Sequence, residues 1–123
     1  DDATASAGQW AAESEAANAR KAAADPDVVA LIGPFNSGAA KISMPILNDA
    51  GLVQISPACT WPGLTKEVPG DKSGEPGIYR PAGRVTFCRV CPTDFVQGPL
   101  SADFAKDELK VKKVYVLDDK ELY

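Results

Sequence analysis

Two short segments place hydroxyl side chains directly after runs of apolar residues. They are residues 31–37, LIGPFNS, and residues 54–60, QISPACT. Ser37 and Thr60 offer hydroxyls that can donate a hydrogen bond to an oxygen acceptor such as a carboxylate, and Ala58 leaves its backbone unobstructed. These groups can hold a small molecule, so the two segments together indicate a binding site.

The elements that position these segments are predicted to be neighbouring parallel strands. Residues 28–32 form an unbroken apolar run, typical of a strand buried on both faces, and residues 52–56 are predicted as the next strand. A helix is predicted between them over residues 37–50, with Gly51 after its end and a kink or break at Pro45. This β-α-β order predicts a parallel sheet with right-handed crossovers. Ligands bind at the carboxyl ends of such strands, where both segments lie.

The start of the predicted helix is itself a candidate anion site. The first backbone N–H groups of a helix have no partner within it and carry partial positive charge, so they hold a carboxylate without Arg or Lys. Beside Asn36, the Ser37 hydroxyl can donate one more hydrogen bond, and Gly38 lets a ligand approach the backbone. The alternative is that Asn36 or Ser37 only caps the helix, and the two roles are compatible.

The rest of the chain is predicted to continue the α/β pattern around a long loop. Ser6 and Gln9 match a capping box at the start of the first helix. The other predicted elements are a helix over residues 7–24, a loop over 57–77, strands over 78–79 and 85–90, a helix over 95–109 and a strand over 111–117. The predicted fold class is therefore α/β.

The absence of histidine removes several kinds of site. With zero histidines, the chain has no Ser-His-Asp or Cys-His catalysis and no histidine-based metal site. Cys88 and Cys91 have CxxC spacing, but residues i and i+3 of a strand lie on opposite faces. We therefore expect two buried or half-buried thiols rather than a redox or metal-binding pair. Asp118 and Asp119 are expected to be solvated carboxylates. We predict no catalytic residue, no metal and no cofactor.

Charge and hydropathy limit the kinds of partner that we expect for this protein. The formal net charge is −4, so a nucleic-acid surface is not expected. No apolar run approaches the ~20 residues that a membrane-spanning helix needs. The protein is not expected to be an enzyme. A hydrolase with Ser37 or Cys59 as its nucleophile is the distant alternative, and it lacks a histidine base.

The order and spacing of these motifs resemble those of the periplasmic leucine/isoleucine/valine-binding proteins. These are the type I solute-binding components of ABC transporters for branched-chain amino acids. The resemblance runs nearly end to end. Its matching segments are DDAT at residues 1–4, VALIGP at 29–34 with Ser37, ISPA at 55–58 with Thr60, LT at 64–65, RVxPTD at 89–94 with QG at 97–98, and VYVLDD at 114–119 ending at Tyr123.

The resemblance implies two α/β lobes joined by a hinge, with the ligand in the cleft between them. Residues 1–91 are then part of the first ligand-binding lobe, residues 92–94 are the crossover between the lobes, and residues 95–123 begin the second lobe. The lobe is implied to be a three-layer, Rossmann-like parallel sheet that is incomplete in this chain. A truncated sheet leaves unpaired backbone groups at its edge, so self-association is also expected.

The resemblance also assigns roles to individual residues. Ser37, Thr60 and the backbone of Ala58 are implied to hold the α-carboxylate of the ligand. Tyr123 is implied to face the ligand from the other lobe.

The implied function is transport. An extracytoplasmic protein binds a branched-chain or related amino acid by hinge closure and delivers it to a membrane permease. The implied location is periplasmic or extracellular, with a lipid-anchored precursor as one form. A ligand-sensing receptor or regulator domain of the same fold is the alternative. Phe35 and Trp61 are either walls that select the side chain of the ligand or ordinary packing residues.

Overall fold

The computed structural model of the protein describes residues 8–118, which contain three α-helices and three β-strands. The elements in chain order are α1 (Ala12–Ala24), β1 (Ala30–Ile32), α2 (Ser37–Ala50), β2 (Val53–Ser56), β3 (Phe87–Arg89) and α3 (Asp94–Asp103), with short 3-10 turns at Pro62–Leu64 and Gly77–Tyr79 and a π turn at Phe104–Glu108. Within this range, no helix is both long enough and apolar enough to cross a membrane.

The three strands form one parallel sheet in the order β1-β2-β3. Leu31 lies opposite Gln54 in the register, and Ile55 lies opposite Cys88. The ladder continues past β1, where the Gly33 N–H donates to the Ile55 carbonyl at 2.8 Å. The predicted α/β class and the parallel β-α-β order are therefore confirmed, and the described residues form part of a Rossmann-like lobe.

Helix α2 connects β1 to β2 and has the bounds that the sequence predicts. It spans Ser37–Ala50, and Gly51 follows with a φ of 76°, the left-handed conformation that glycine adopts without strain. Of the kink or break predicted at Pro45, the break is wrong, because the helix continues through this residue, and the kink stays a prediction. Proline removes one backbone hydrogen bond there, and the burial of Met44 and Leu47 on either side offsets that loss.

Strand β1 is the edge of the described sheet and is more exposed than predicted. Val29 is 83% exposed and Ile32 is 73% exposed, so the prediction of a strand buried on both faces is wrong. Helices α1 and α2 pack against each other, whereas α3 buries none of its residues. The apolar side chain of Ile32 therefore lies in solvent at the edge of the described sheet.

The first helix begins later than its sequence suggests. It starts at Ala12 rather than residue 7, and its N-cap, Ala11, makes no side-chain capping hydrogen bond. Ser6 lies outside the described residues, but a capping box from Ser6 to Gln9 requires a helix from residue 7, so this prediction is wrong. Local capping patterns occur often enough that they do not fix a helix start alone.

Two predicted strands do not form. Residues 78–79 belong to a 3-10 turn, and residues 111–117 have no regular structure, with Tyr115 97% exposed. In the described sheet, β3 is the last strand on that side. Residues 111–117 therefore have no strand beside them to satisfy their backbone groups.

The hydrophobic core joins α2 to the long loop between β2 and β3. Its buried members are Ala40, Met44, Cys59, Leu64, Tyr79 and Phe87, with Trp61 packed against them. The loop is thus a packed element that supplies half of these residues, rather than a surface insertion.

Candidate functional site

The turns that follow β1 and β2 contact each other. Residues 33–36 are termed the first turn, and residues 57–61 are termed the second turn. The Ser56 hydroxyl, at the end of β2, donates to the Pro34 carbonyl at 2.8 Å, and the Cys59 thiol reaches the same carbonyl at 3.4 Å. The two segments singled out by the sequence therefore meet at the carboxyl edge of the sheet.

Ser37 is the point where α2 meets the second turn. The residue is 1% exposed, and its Oγ accepts a hydrogen bond from the Trp61 backbone N–H at 3.1 Å. A serine hydroxyl has one hydrogen and two lone pairs, so this contact leaves the Ser37 hydrogen for another acceptor. Asn36 is the N-cap of α2 without a side-chain capping hydrogen bond, so the alternative in which its side chain caps the helix is wrong.

Ser56 organises the second turn, a role that sequence reasoning missed. Its Oγ accepts the backbone N–H of Ala58 at 3.2 Å and that of Cys59 at 2.9 Å. The Ala58 backbone is predicted to contact a ligand, and its N–H has a partner within the turn. Thr60 is half-buried, and its carbonyl accepts the N–H of Asp94 at 3.1 Å, which ties the turn to the start of α3. A serine that bonds the backbone two or three residues ahead is a recognisable turn signal.

Arg89 holds the second turn from the neighbouring strand β3. Its Nη1 donates to the Cys59 carbonyl at 2.8 Å and to the Trp61 carbonyl at 2.7 Å. Its Nη2 donates to Thr65 Oγ1 at 2.5 Å and reaches the Pro62 carbonyl at 3.5 Å. The cation therefore stabilises the turn by hydrogen bonds to protein oxygens. Its only sequence signal is an arginine within an apolar strand.

A buried carboxylate supports the second turn from the long loop. Glu75 Oε2 accepts the Trp61 indole N–H at 2.6 Å, and Oε1 accepts the Tyr79 hydroxyl at 2.5 Å. Lys41 Nζ lies 2.9 Å from Oε1 and 5.0 Å from the centre of the Trp61 ring, a cation–π distance. Lys41, Trp61, Glu75 and Tyr79 are termed the Glu75 cluster.

The contacts within this cluster set its charge state. Burial by itself raises the pKa of Glu75, but hydrogen bonds from Tyr79, Lys41 and Trp61 outweigh it and hold that pKa below its usual value. Burial, and then the hydrogen bond to Glu75, raise the pKa of Tyr79. At neutral pH the cluster is therefore an anion held by a cation and two neutral donors. Among residues 8–118, no group of three or more Cys, Asp, Glu or His side chains is placed to hold a metal ion.

The two aromatic candidates have different surroundings. Phe35, in the first turn, is 62% exposed and borders a cleft of about 330 Å³ whose lining includes Glu15, Asn18 and Leu31. Trp61 packs against the core. Tyr123, the predicted contact from the other lobe, lies outside the described residues.

The three cysteines differ in exposure. Cys59 is buried, Cys91 is partly buried and Cys88 is exposed. The prediction of a buried or half-buried thiol is therefore wrong for Cys88, the exposed middle residue of β3. Burial raises the pKa of the Cys59 thiol to about 11. Because the thiolate is the reactive form, Cys59 is poorly suited to act as a nucleophile.

We expect Cys88 to react with iodoacetamide at pH 8, while Cys59 stays unlabelled until the protein unfolds. With a pKa of about 11, Cys59 is thiolate in only about one molecule in a thousand at pH 8, and it is buried. Peptide mapping by mass spectrometry measures labelling at each site, and a denatured sample, in which both thiols react, is the control. Rapid labelling of Cys59 in the native protein contradicts this expectation and favours the hydrolase alternative.

Comparison with known proteins finds similarity to a curated protein of Pseudomonas aeruginosa, named amino acid binding protein. The two are 30% identical over 95 residues, which are 77% of this chain and 21% of the relative. The matched region thus spans about a fifth of the relative's length. No protein-family model matches the chain, and no solved structure matches it.

Proposed function

We propose that the protein is an extracytoplasmic solute-binding protein of a transporter, and that the joined turns bind the carboxylate of an amino acid. The observation that carries this proposal is the contact between Ser37 and Trp61. It holds the first residue of α2 against the second turn and leaves the Ser37 hydrogen for an acceptor. The N–H groups at the start of α2 add partial positive charge, so no Arg or Lys is needed to hold the carboxylate.

The relative supports the choice of ligand class. The Pseudomonas aeruginosa protein is named for binding an amino acid, and the motif resemblance favours a branched-chain amino acid such as leucine. In this proposal the ligand lies between two lobes and stabilises their closed state through contacts that the open state lacks. Residues 1–91 then belong to the first lobe, residues 92–94 to the crossover and residues 95–123 to the second lobe.

The partners follow from this function. A membrane permease of an ABC transporter receives the ligand, and the protein acts in the periplasm or outside the cell. Self-association is a further part of the proposal. The outer side of β1 is unpaired in the described sheet, with Val29 and Ile32 exposed, so it can pair with a strand of a second copy.

We expect Ser37→Ala and Thr60→Ala, each in the full-length protein, to weaken leucine binding by roughly 1–3 kcal/mol, because each leaves a ligand oxygen without its donor. Isothermal titration calorimetry with leucine measures the effect. Ser101→Ala is the matched control, since Ser101 is an exposed serine of α3. Unchanged affinity in both site variants removes these hydroxyls from the site.

A further inference from the structure

Trp61 connects the Glu75 cluster to the proposed carboxylate site. Its indole N–H donates to Glu75 Oε2 at 2.6 Å, and its backbone N–H donates to Ser37 Oγ at 3.1 Å. One residue therefore bridges a buried anion and the hydroxyl at the start of α2. The indole and the backbone N–H belong to one residue, so an indole held by Glu75 restricts the positions that the Trp61 backbone can take.

Glu75 is a fixed point for this bridge. Lys41, from α2, and Tyr79, from the second 3-10 turn, hold its Oε1 at 2.9 and 2.5 Å. Gly63 lets the carboxylate approach closely, since a Cβ added at this position would lie only 1.7 Å from Glu75 Oε2. The Glu75 side chain is 5% exposed, so water competes little with these contacts.

The backbone N–H of Trp61 also determines where the hydrogen of the Ser37 hydroxyl can point. A hydroxyl rotates to suit its partners, and a donor fixed on one side directs the hydrogen away from that side. We propose that Glu75 is a positioning residue for the carboxylate site, which acts through Trp61 to hold the Ser37 hydroxyl in its donating orientation. This inference rests on the proposed function. It predicts that loss of the contact between Glu75 and Trp61 weakens binding of an α-carboxylate more than binding of an amide with the same side chain.

The experiment compares Trp61→Phe with Trp10→Phe in the full-length protein. The first variant removes the indole N–H but keeps a ring beside Lys41 and the backbone N–H that reaches Ser37. The second makes the same change at the other tryptophan of the chain. Calorimetry measures affinity for leucine and for leucinamide, which lacks the carboxylate. We expect Trp61→Phe to lower the leucine-to-leucinamide affinity ratio roughly five- to tenfold, and Trp10→Phe to leave it unchanged.

A second measurement does not depend on any ligand. Amide hydrogen exchange at residue 61 reports the hydrogen bond to Ser37, and we expect it to be roughly tenfold faster in Trp61→Phe and unchanged in Trp10→Phe. Where Trp61→Phe fails to fold, Glu75→Gln replaces it, because glutamine keeps the volume and removes one acceptor oxygen.

The outcomes separate the inference from the proposed function. An unchanged affinity ratio, an equal loss of affinity for both ligands, or unchanged exchange at residue 61 overturns the positioning role. If Ser37→Ala weakens leucine binding while Trp61→Phe leaves the ratio intact, the site stands and only the positioning role fails. If the unmodified full-length protein does not bind leucine, the proposed function fails and the positioning role fails with it.

Discussion

Replacing Gly63 with alanine is expected to lower the free energy of unfolding by roughly 3–5 kcal/mol. A Cβ at this position lies 1.7 Å from Glu75 Oε2 and 2.4 Å from Trp61 Nε1, so both groups must move. Both are side-chain atoms, but Trp61 Nε1 donates a hydrogen bond to Glu75 Oε2 at 2.6 Å. Tyr79 and Lys41 also contact the Glu75 carboxylate. Moving the carboxylate therefore strains or breaks several buried contacts together.

Gly77→Ala is the matched control for this prediction. Gly77 begins the second 3-10 turn, is exposed, and has no atom within 4 Å of a Cβ placed on it. Its substitution is expected to change the free energy of unfolding by no more than about 0.5 kcal/mol. Urea unfolding monitored by circular dichroism compares the two variants with the unmodified protein. Equal free energies of unfolding for the Gly63 and Gly77 variants show that the Glu75 cluster rearranges around a Cβ without loss of stability, and the prediction then fails.

Local signals along the chain predicted the elements that carry the site. The bounds of α2 match because Gly51 marks its end in the sequence and adopts a positive φ in the structure. The parallel order of β1 and β2 follows from the helix between them, since a single crossover of this length favours parallel pairing. The meeting of the first and second turns then follows from topology, whereas their contact with a ligand stays a prediction.

Contacts between distant segments could not be predicted in this way. Glu75 lies in a glycine- and proline-rich loop without periodicity, and its partners are 4 to 34 positions away: Tyr79 at 4, Trp61 at 14 and, by subtraction of 41 from 75, Lys41 at 34. Nothing in the local pattern indicates that such a carboxylate is buried. Burial of an acid is rare unless it is paired, and the pairing exists only in the folded chain.

At residues 111–117 a local pattern is present, but the tertiary contact that a strand needs is missing. The apolar pattern is suitable for a strand, but a strand also needs a neighbour, and in the described part of the chain β3 ends the sheet on that side. Helix α3, which precedes this segment, buries no residue. The prediction from local propensity was therefore wrong, because a strand forms only where a neighbouring strand is present to pair with it.

Replacing Arg89 with methionine is expected to lower the free energy of unfolding by roughly 2–4 kcal/mol. The guanidinium donates to the carbonyls of Cys59 and Trp61 and to the Thr65 hydroxyl, and methionine leaves all three acceptors without that donor. Arg89→Lys keeps the charge but not the planar fork that reaches several oxygens at once. It is therefore expected to recover less than half of the loss.

The control for Arg89 is Arg20→Met, because Arg20 is exposed on α1 and its loss is expected to cost no more than about 0.5 kcal/mol. Urea unfolding measures stability, and amide exchange at residues 58–61 measures the order of the second turn.

Because Arg89 binds this turn directly, we expect faster exchange there at urea concentrations where α2 is still protected. Loss of protection in α2 and in the turn together contradicts a local role and shows that Arg89 supports the whole sheet. Selective loosening of the turn connects the fold to the proposed site, since the same turn carries Thr60 and the N–H that reaches Ser37.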